Sequence, residues 1–131
     1  MGSFADYWEN EILDHLFGKG SYTPPTIYVG LSTANPTDNA SGLAEPSGGS
    51  YARVATAGAD WNVASGGAID NTNDITFPEA TGNWGTITHF VLFDAASAGN
   101  MLAHGALSVS KSISSGDTAK FAPGDLDVTL D

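Results

Sequence analysis

Thr86-Ile87-Thr88-His89-Phe90-Val91-Leu92-Phe93-Asp94 is the stretch that decides the fold. Its two-residue alternation is apolar on both sides. Ile87, Val91 and Phe93 lie on one side with His89, and Phe90 and Leu92 lie on the other. A strand of this kind belongs at the centre of a sheet or in an interface, because neither face can be left to water.

Outward from this strand the chain continues in short pieces. Downstream, a turn over 95–100 leads to a strand over 101–109, Ser115-Gly116-Asp117 turns again, and 118–122 reads as a short edge strand. Pro123-Gly124 makes the last turn. Leu126, Val128 and Leu130 then alternate with Asp125, Asp127, Thr129 and Asp131. Upstream, Ile75 and Phe77 form a strand that Pro78 ends, 70–73 is a turn, and 61–69 is ambiguous because Gly66-Gly67 breaks it. Strands are expected at 51–56 and over 27–31, the latter from Ile27, Val29 and Leu31 alternating with Tyr28 and Gly30. Between them, 32–49 is rich in Asn, Pro, Gly, Ser and Asp and has Leu43 as its apolar anchor. Long loops of this kind are functional or mobile.

The front of the chain is different. Residues 3–17 predict a short helix capped by Ser3, with Trp8, Ile12 and Leu16 at steps of four. Ala5, Leu13 and Phe17 widen that stripe, and Gly18 ends it through the left-handed conformation it adopts cheaply. The stripe either covers the β core or docks on a neighbouring subunit. Seven or eight short strands behind one helix describe a mainly β fold, an antiparallel β-sandwich or jelly-roll-like domain over 1–131 with an N-terminal helix.

Composition narrows the function. The 131 residues suit one core, and 41% hydrophobic residues are enough to fill it. No apolar run reaches membrane-spanning length, and no positive region precedes an apolar one at the start, so neither membrane insertion nor a secretory signal is expected. Without cysteine there are no disulfides or thiolate metal sites. Fifteen acidic residues against four basic ones give a net charge of −11, which repels nucleic acid and anionic lipid and favours basic partner surfaces.

The chemistry-bearing residues point to no reaction and no cofactor. His15, His89 and His104 lack metal-ligand spacing, although His89 and His104 meet if their strands form a hairpin. No nucleophile elbow and no phosphate-binding glycine loop is present. Glu45 and Glu79 are loop acids whose separation the sequence leaves open, and Asp125 and Asp127 share one side of a strand without a calcium loop around them. Arg53, the one arginine, is expected to pair with Glu45 or an aspartate, in a bidentate manner. Tyr51, Trp61 and Trp84 are the aromatic candidates for stacking on a glycan, with core filling as the alternative.

Many short signatures run along the chain: Tyr22-Thr23-Pro24-Pro25, Ile27-Tyr28-Val29-Gly30-Leu31-Ser32, Glu45-Pro46 and Gly49-Ser50-Tyr51-Ala52-Arg53. Ile75-Thr76-Phe77-Pro78-Glu79-Ala80, Trp84-Gly85, Ile87-Thr88-His89-Phe90, Phe93-Asp94-Ala95 and Ser115-Gly116-Asp117 follow. Over nearly its whole length the sequence resembles a family of small tailed-bacteriophage virion proteins, the phage tail or tail-fibre-like proteins. The resemblance implies a structural protein of the virion, not an enzyme, with no catalytic residues to carry over. Its partners are then other virion proteins, capsid or tail subunits, met as homo-oligomers or lattice-bound copies. On a capsid surface a trimer is the natural arrangement. The expected attachment elements are the helix and the 32–49 loop, with Trp8, Ile12, Leu16 and Leu43 as anchors. The alternatives are a glycan or host-receptor binding module at the tail tip, and a decoration (cement) protein that stabilises the head.

Overall fold

A computed structural model describes residues 2–130. The molecule is mainly β, with one short helix near its start. Its centre is the hairpin of β6 (Gly85–Phe93) and β7 (Met101–Ile113), and β2 (Tyr28–Ser32) pairs along the other side of β6 from Tyr28↔Phe93 to Ser32↔His89. The strand expected at the centre is therefore at the centre, with antiparallel partners on both edges.

The sheet does not divide into two layers. Its order is β3-β2-β6-β7-β1-β9-β4, with β1 at Gly2–Phe4, β3 at Val54–Ala55, β4 at Ala68–Asp70 and β9 at Asp127–Thr129. The seven strands form one curled half-barrel, which corrects the expected sandwich or jelly roll. A small second ladder stands apart, β5 (Ile75–Thr76) with β8 (Lys120–Phe121). The reason lies in β1. It pairs antiparallel with β7 (Gly2↔Gly105) and parallel with β9 (Gly2↔Val128), and so joins two groups of strands that would otherwise end in open edges. A continuous curled sheet leaves fewer unpaired backbone groups than two separate ones.

Ser3 thus lies in a strand and caps nothing. The helix α1 runs Asp6–Leu16, and its N-cap is Ala5 in extended backbone without a side-chain hydrogen bond. Asp6 and Glu9 in the first turn compensate, since negative charge is favoured at a helix N-terminus. At the far end Gly18 does take the left-handed conformation (φ 73°), and the Lys19 N–H returns to the Asp14 carbonyl at 2.8 Å.

The larger core gathers Val29, Leu31, Phe90, Leu92, Leu102 and Val128 with Trp84, Phe77 and Ile87. A smaller cluster, Ala5, Val91, Phe93 and Met101, lies beneath Leu43 and Ala40 of the 32–49 loop. Ile87 packs with Phe90 and Leu92, not with Val91 and Phe93 as strict alternation predicts. The β6–β7 register jumps from Ile87↔Lys111 to His89↔Ala106, so residues 107–110 stand opposite Thr88 alone. Such a bulge twists the strand and re-aims its side chains.

The splice at β1 has no room for a side chain at Gly2. A Cβ there would sit 2.6 Å from the His104 carbonyl oxygen and 2.7 Å from the Phe90 ring. Gly2→Ala is expected to destabilise the fold by about 2 kcal/mol, the typical cost of overpacking. Urea unfolding, read as a lower midpoint with unchanged slope, measures it.

Candidate functional site

The exposed face of α1 is the first surface of interest. One helical step of four advances the side chain by 40° in excess of a full turn, so a stripe stepped by four drifts around the axis. Trp8 packs against the larger core together with Phe4 and Tyr7. Ile12 is half-buried. By Leu16 the drift has turned the chain outward: Leu13, Leu16 and Phe17 are 54%, 70% and 75% exposed. Three large apolar side chains on one helical turn in water are an unpartnered surface. Of the four expected anchors, Leu16 faces solvent with these neighbours, while Trp8 and Leu43 are turned inward to hold the helix and the loop to their own core.

The 32–49 loop is built against the start of this helix. The Asp6 N–H donates to the Asp38 carbonyl at 3.1 Å, and His104 Nε2 lies 2.9 Å from Asp38 Oδ1. Within the loop, Ser32 Oγ donates to the Ala34 carbonyl and accepts the Ala44 N–H, and Thr33 N–H donates to the Ala44 carbonyl. The loop is thus pinned at its middle and at both ends.

Its far end is clamped by Arg53. Nε and Nη2 donate to the two carboxylate oxygens of Glu45 at 3.0 and 2.6 Å, the bidentate pair expected from the sequence. Nη1 donates to the carbonyls of Ala95 and Ala98 at 2.8 Å each, and the guanidinium carbon sits 3.6 Å over the Phe93 ring. The Tyr51 hydroxyl donates to Glu45 Oε2 at 2.7 Å and accepts the Leu31 N–H at 2.9 Å. Burial raises the Glu45 carboxyl, but the hydrogen bonds from Arg53 and Tyr51 outweigh it and hold its pKa below the ordinary value. Burial, and then the bond to Glu45, push the Tyr51 phenol well above its usual range. These groups join β2, the loop and the β6–β7 turn.

The aromatic candidates do not form a platform. Trp84 is 3% exposed, stands edge-on to Tyr51 at 5.3 Å and donates its indole N–H to the Gly49 carbonyl at 2.8 Å. Tyr51 is half-buried with its hydroxyl engaged on both sides. Trp61 is apart from them, packed on the core with its N–H to Thr56 Oγ1 at 3.0 Å. Two of the three are brought together, but facing inward.

His89 and His104 do meet across the hairpin. Both line a shallow pocket with Asn35, and burial followed by the charge of His104 lowers the His89 pKa. Among the described residues no three His, Asp or Glu side chains converge as a metal site, and no helix is long and apolar enough to cross a membrane. The sequence places Leu13 and Phe17 on the stripe, facing core or neighbour, but not among the anchors; the structure turns both outward. Their exposure follows from where the helix starts, and that start depends on β1.

Comparison with known families gives a match to podophage GP4 fiber I protein gp80 over residues 3–129. No curated protein matches the chain. The family match covers nearly the whole sequence, so the chain belongs to this family. It is a tail-fibre-type structural protein of the phage virion that acts through protein contacts and not as an enzyme.

Proposed function

We propose, from that membership, that 1–131 is one folding unit whose place in the fibre is fixed by the last turn of α1. The carrying observation is the exposure of Leu13, Leu16 and Phe17 together on a helix whose other face is seated on the core. Buried apolar centres supply most interface energy, and the acidic surface around them steers encounter and orientation. The 32–49 loop supports the helix from beside its first turn, and Leu43 acts through that support. Repeated copies in a virion strengthen a weak individual contact through avidity, which fits a homo-oligomeric arrangement.

Cryo-electron microscopy of the intact particle tests this reading. The expected result is density for this fold in the tail, with Leu16 and Phe17 covered by protein. Tail density in which that helical turn faces solvent overturns the attachment role. Density on the head shell instead makes the chain a decoration protein and overturns the fibre placement.

A further inference from the structure

Two histidines line the seam where β1 enters the sheet. His89 pairs with Ala106 and Val91 pairs with His104, so the two histidines are diagonal neighbours on one face of the hairpin. Both are half-buried. The shallow pocket they line is shared with Gly2 and Ser3 of β1, Asn35 of the 32–49 loop and Thr129 of β9. Ser3 stands opposite His104 on one side and opposite Thr129 on the other. The pocket thus touches both pairings that hold β1 in place.

A charge is compensated on one of these rings and not on the other. His104 Nε2 lies 2.9 Å from Asp38 Oδ1. His89 Nδ1 shares a hydrogen bond with Thr88 Oγ1 at 2.8 Å, and among the described residues no carboxylate pairs with it. Ser32 of β2, which stands opposite His89, is uncharged, as are the other residues of the pocket. Of the acids on the surrounding elements, Asp6 of α1 and Asp127 of β9 do not line it. Burial and then the charge of His104 lower the His89 pKa from its ordinary 6.5.

The backbone around Asp38 is strained. Thr37 and Ala40, which flank it, both hold φ at 63°, in the left-handed region that a β-branched residue such as Thr37 rarely enters. Such a conformation persists only where its surroundings fix it. Here the Thr37 N–H donates to Asn35 Oδ1 at 3.0 Å, and Asp38 is held by His104. The same turn supports the helix, since the Asp38 carbonyl accepts the Asp6 N–H.

We propose that His89 and His104 form a proton-operated latch on the β1 seam. A proton on His104 is balanced by Asp38. A second proton, on His89, sets two like charges on one face of the hairpin with one carboxylate to serve both. The rings then move apart, and β1 and the 37–40 turn loosen together, which frees the root of α1. Because the folded-state pKa of His89 is lowered, the unfolded chain binds the proton more readily. The stabilisation is complete above about 6.5 and is lost as pH falls from there towards the lowered value. This window lies above the one in which the Glu45 carboxylate titrates, so the two effects separate.

Hydrogen exchange of the wild-type chain at pH about 7.5 and about 5.5, across the histidine range, tests the latch. Rates are corrected for the intrinsic pH dependence of exchange and read by mass spectrometry. Opening of residues 2–4 and 37–40 is expected to rise in acid by up to about fivefold, the scale of a like-charge cross-strand pair. The centre of β6 is expected to stay as protected as before. His89→Gln keeps a polar side chain without the titration and is expected to abolish the rise. An imidazole NMR titration of the wild type gives a readout independent of any variant: His89 is expected to titrate below 6.5, with the His104 signals responding to the same step. Seam exchange that is equal at both pH values overturns the proposal. So does a rise that His89→Gln retains, or two imidazole curves that ignore each other.

Discussion

Replacing Arg53 by alanine is expected to cost about 4 kcal/mol, the scale for removing one partner of a buried ion pair. The two side chains are 6% and 19% exposed, so water cannot take over the role of the guanidinium. The substitution leaves the Glu45 carboxylate desolvated and strips the Ala95 and Ala98 carbonyls of their donor. It also removes the stacking on Phe93. Arg53→Lys recovers only part of this, because an ammonium cannot span both carboxylate oxygens and two carbonyls at once.

The same substitution has a pH signature. In the wild type the folded-state pKa of Glu45 lies below its ordinary 4.5. Its contribution is therefore present above that value and is lost as pH falls through the lowered folded-state pKa. In Arg53→Ala the lowering bond from Arg53 is gone and burial is left to dominate, so the carboxyl takes up its proton at higher pH. The penalty of the substitution is thus expected to be largest near neutrality and to shrink in acid. Urea unfolding of both proteins at neutral and acid pH measures this, and a penalty independent of pH would show that Glu45 is not the group left stranded.

Trp84→Ala carries the second large effect, again about 4 kcal/mol, as expected for truncating a large aromatic in a core. The indole fills the space between Tyr51 and Phe77 and ties Gly49 to the sheet. Trp84→Phe keeps a ring but takes the indole N–H from the Gly49 carbonyl, which keeps only the Thr81 N–H as donor, at roughly 1 kcal/mol. If Trp84 served instead as an exposed glycan contact, the alanine variant would keep its unfolding midpoint. Tyr51 belongs both to this cluster and to the Arg53 clamp, so the Trp84 and Arg53 substitutions are expected to combine non-additively, as neighbours in one network do.

Local patterning made much of this legible. The run Phe90-Val91-Leu92-Phe93 required partners on both faces, and β6 is the central strand between β2 and β7. A lone arginine in a chain of charge −11 required a carboxylate, and Glu45 supplies it. Gly18 marked the end of the helix. The many short signatures between Tyr22 and Asp117 pointed to tailed-phage virion proteins, and the family match over 3–129 bears that out.

Features that depend on a few neighbouring residues were readable from the chain alone: a mainly β chain, its central strand, the end of its helix, its acidity and its kinship. The remaining features depend on long-range contacts, and most of them trace to Gly2-Ser3-Phe4. Three residues are too few to show a period, and Ser3 followed by an acid three residues on looks like a helix start. Their pairing partners lie more than 95 positions away, at 103–105 and 128–129. Only the assembled sheet rewards that pairing, by satisfying backbone groups at two edges at once. Once these residues are drawn into β1, the sheet becomes one curled half-barrel instead of a sandwich. The helix then starts at Asp6, and its last turn is carried off the core, leaving Leu13, Leu16 and Phe17 exposed.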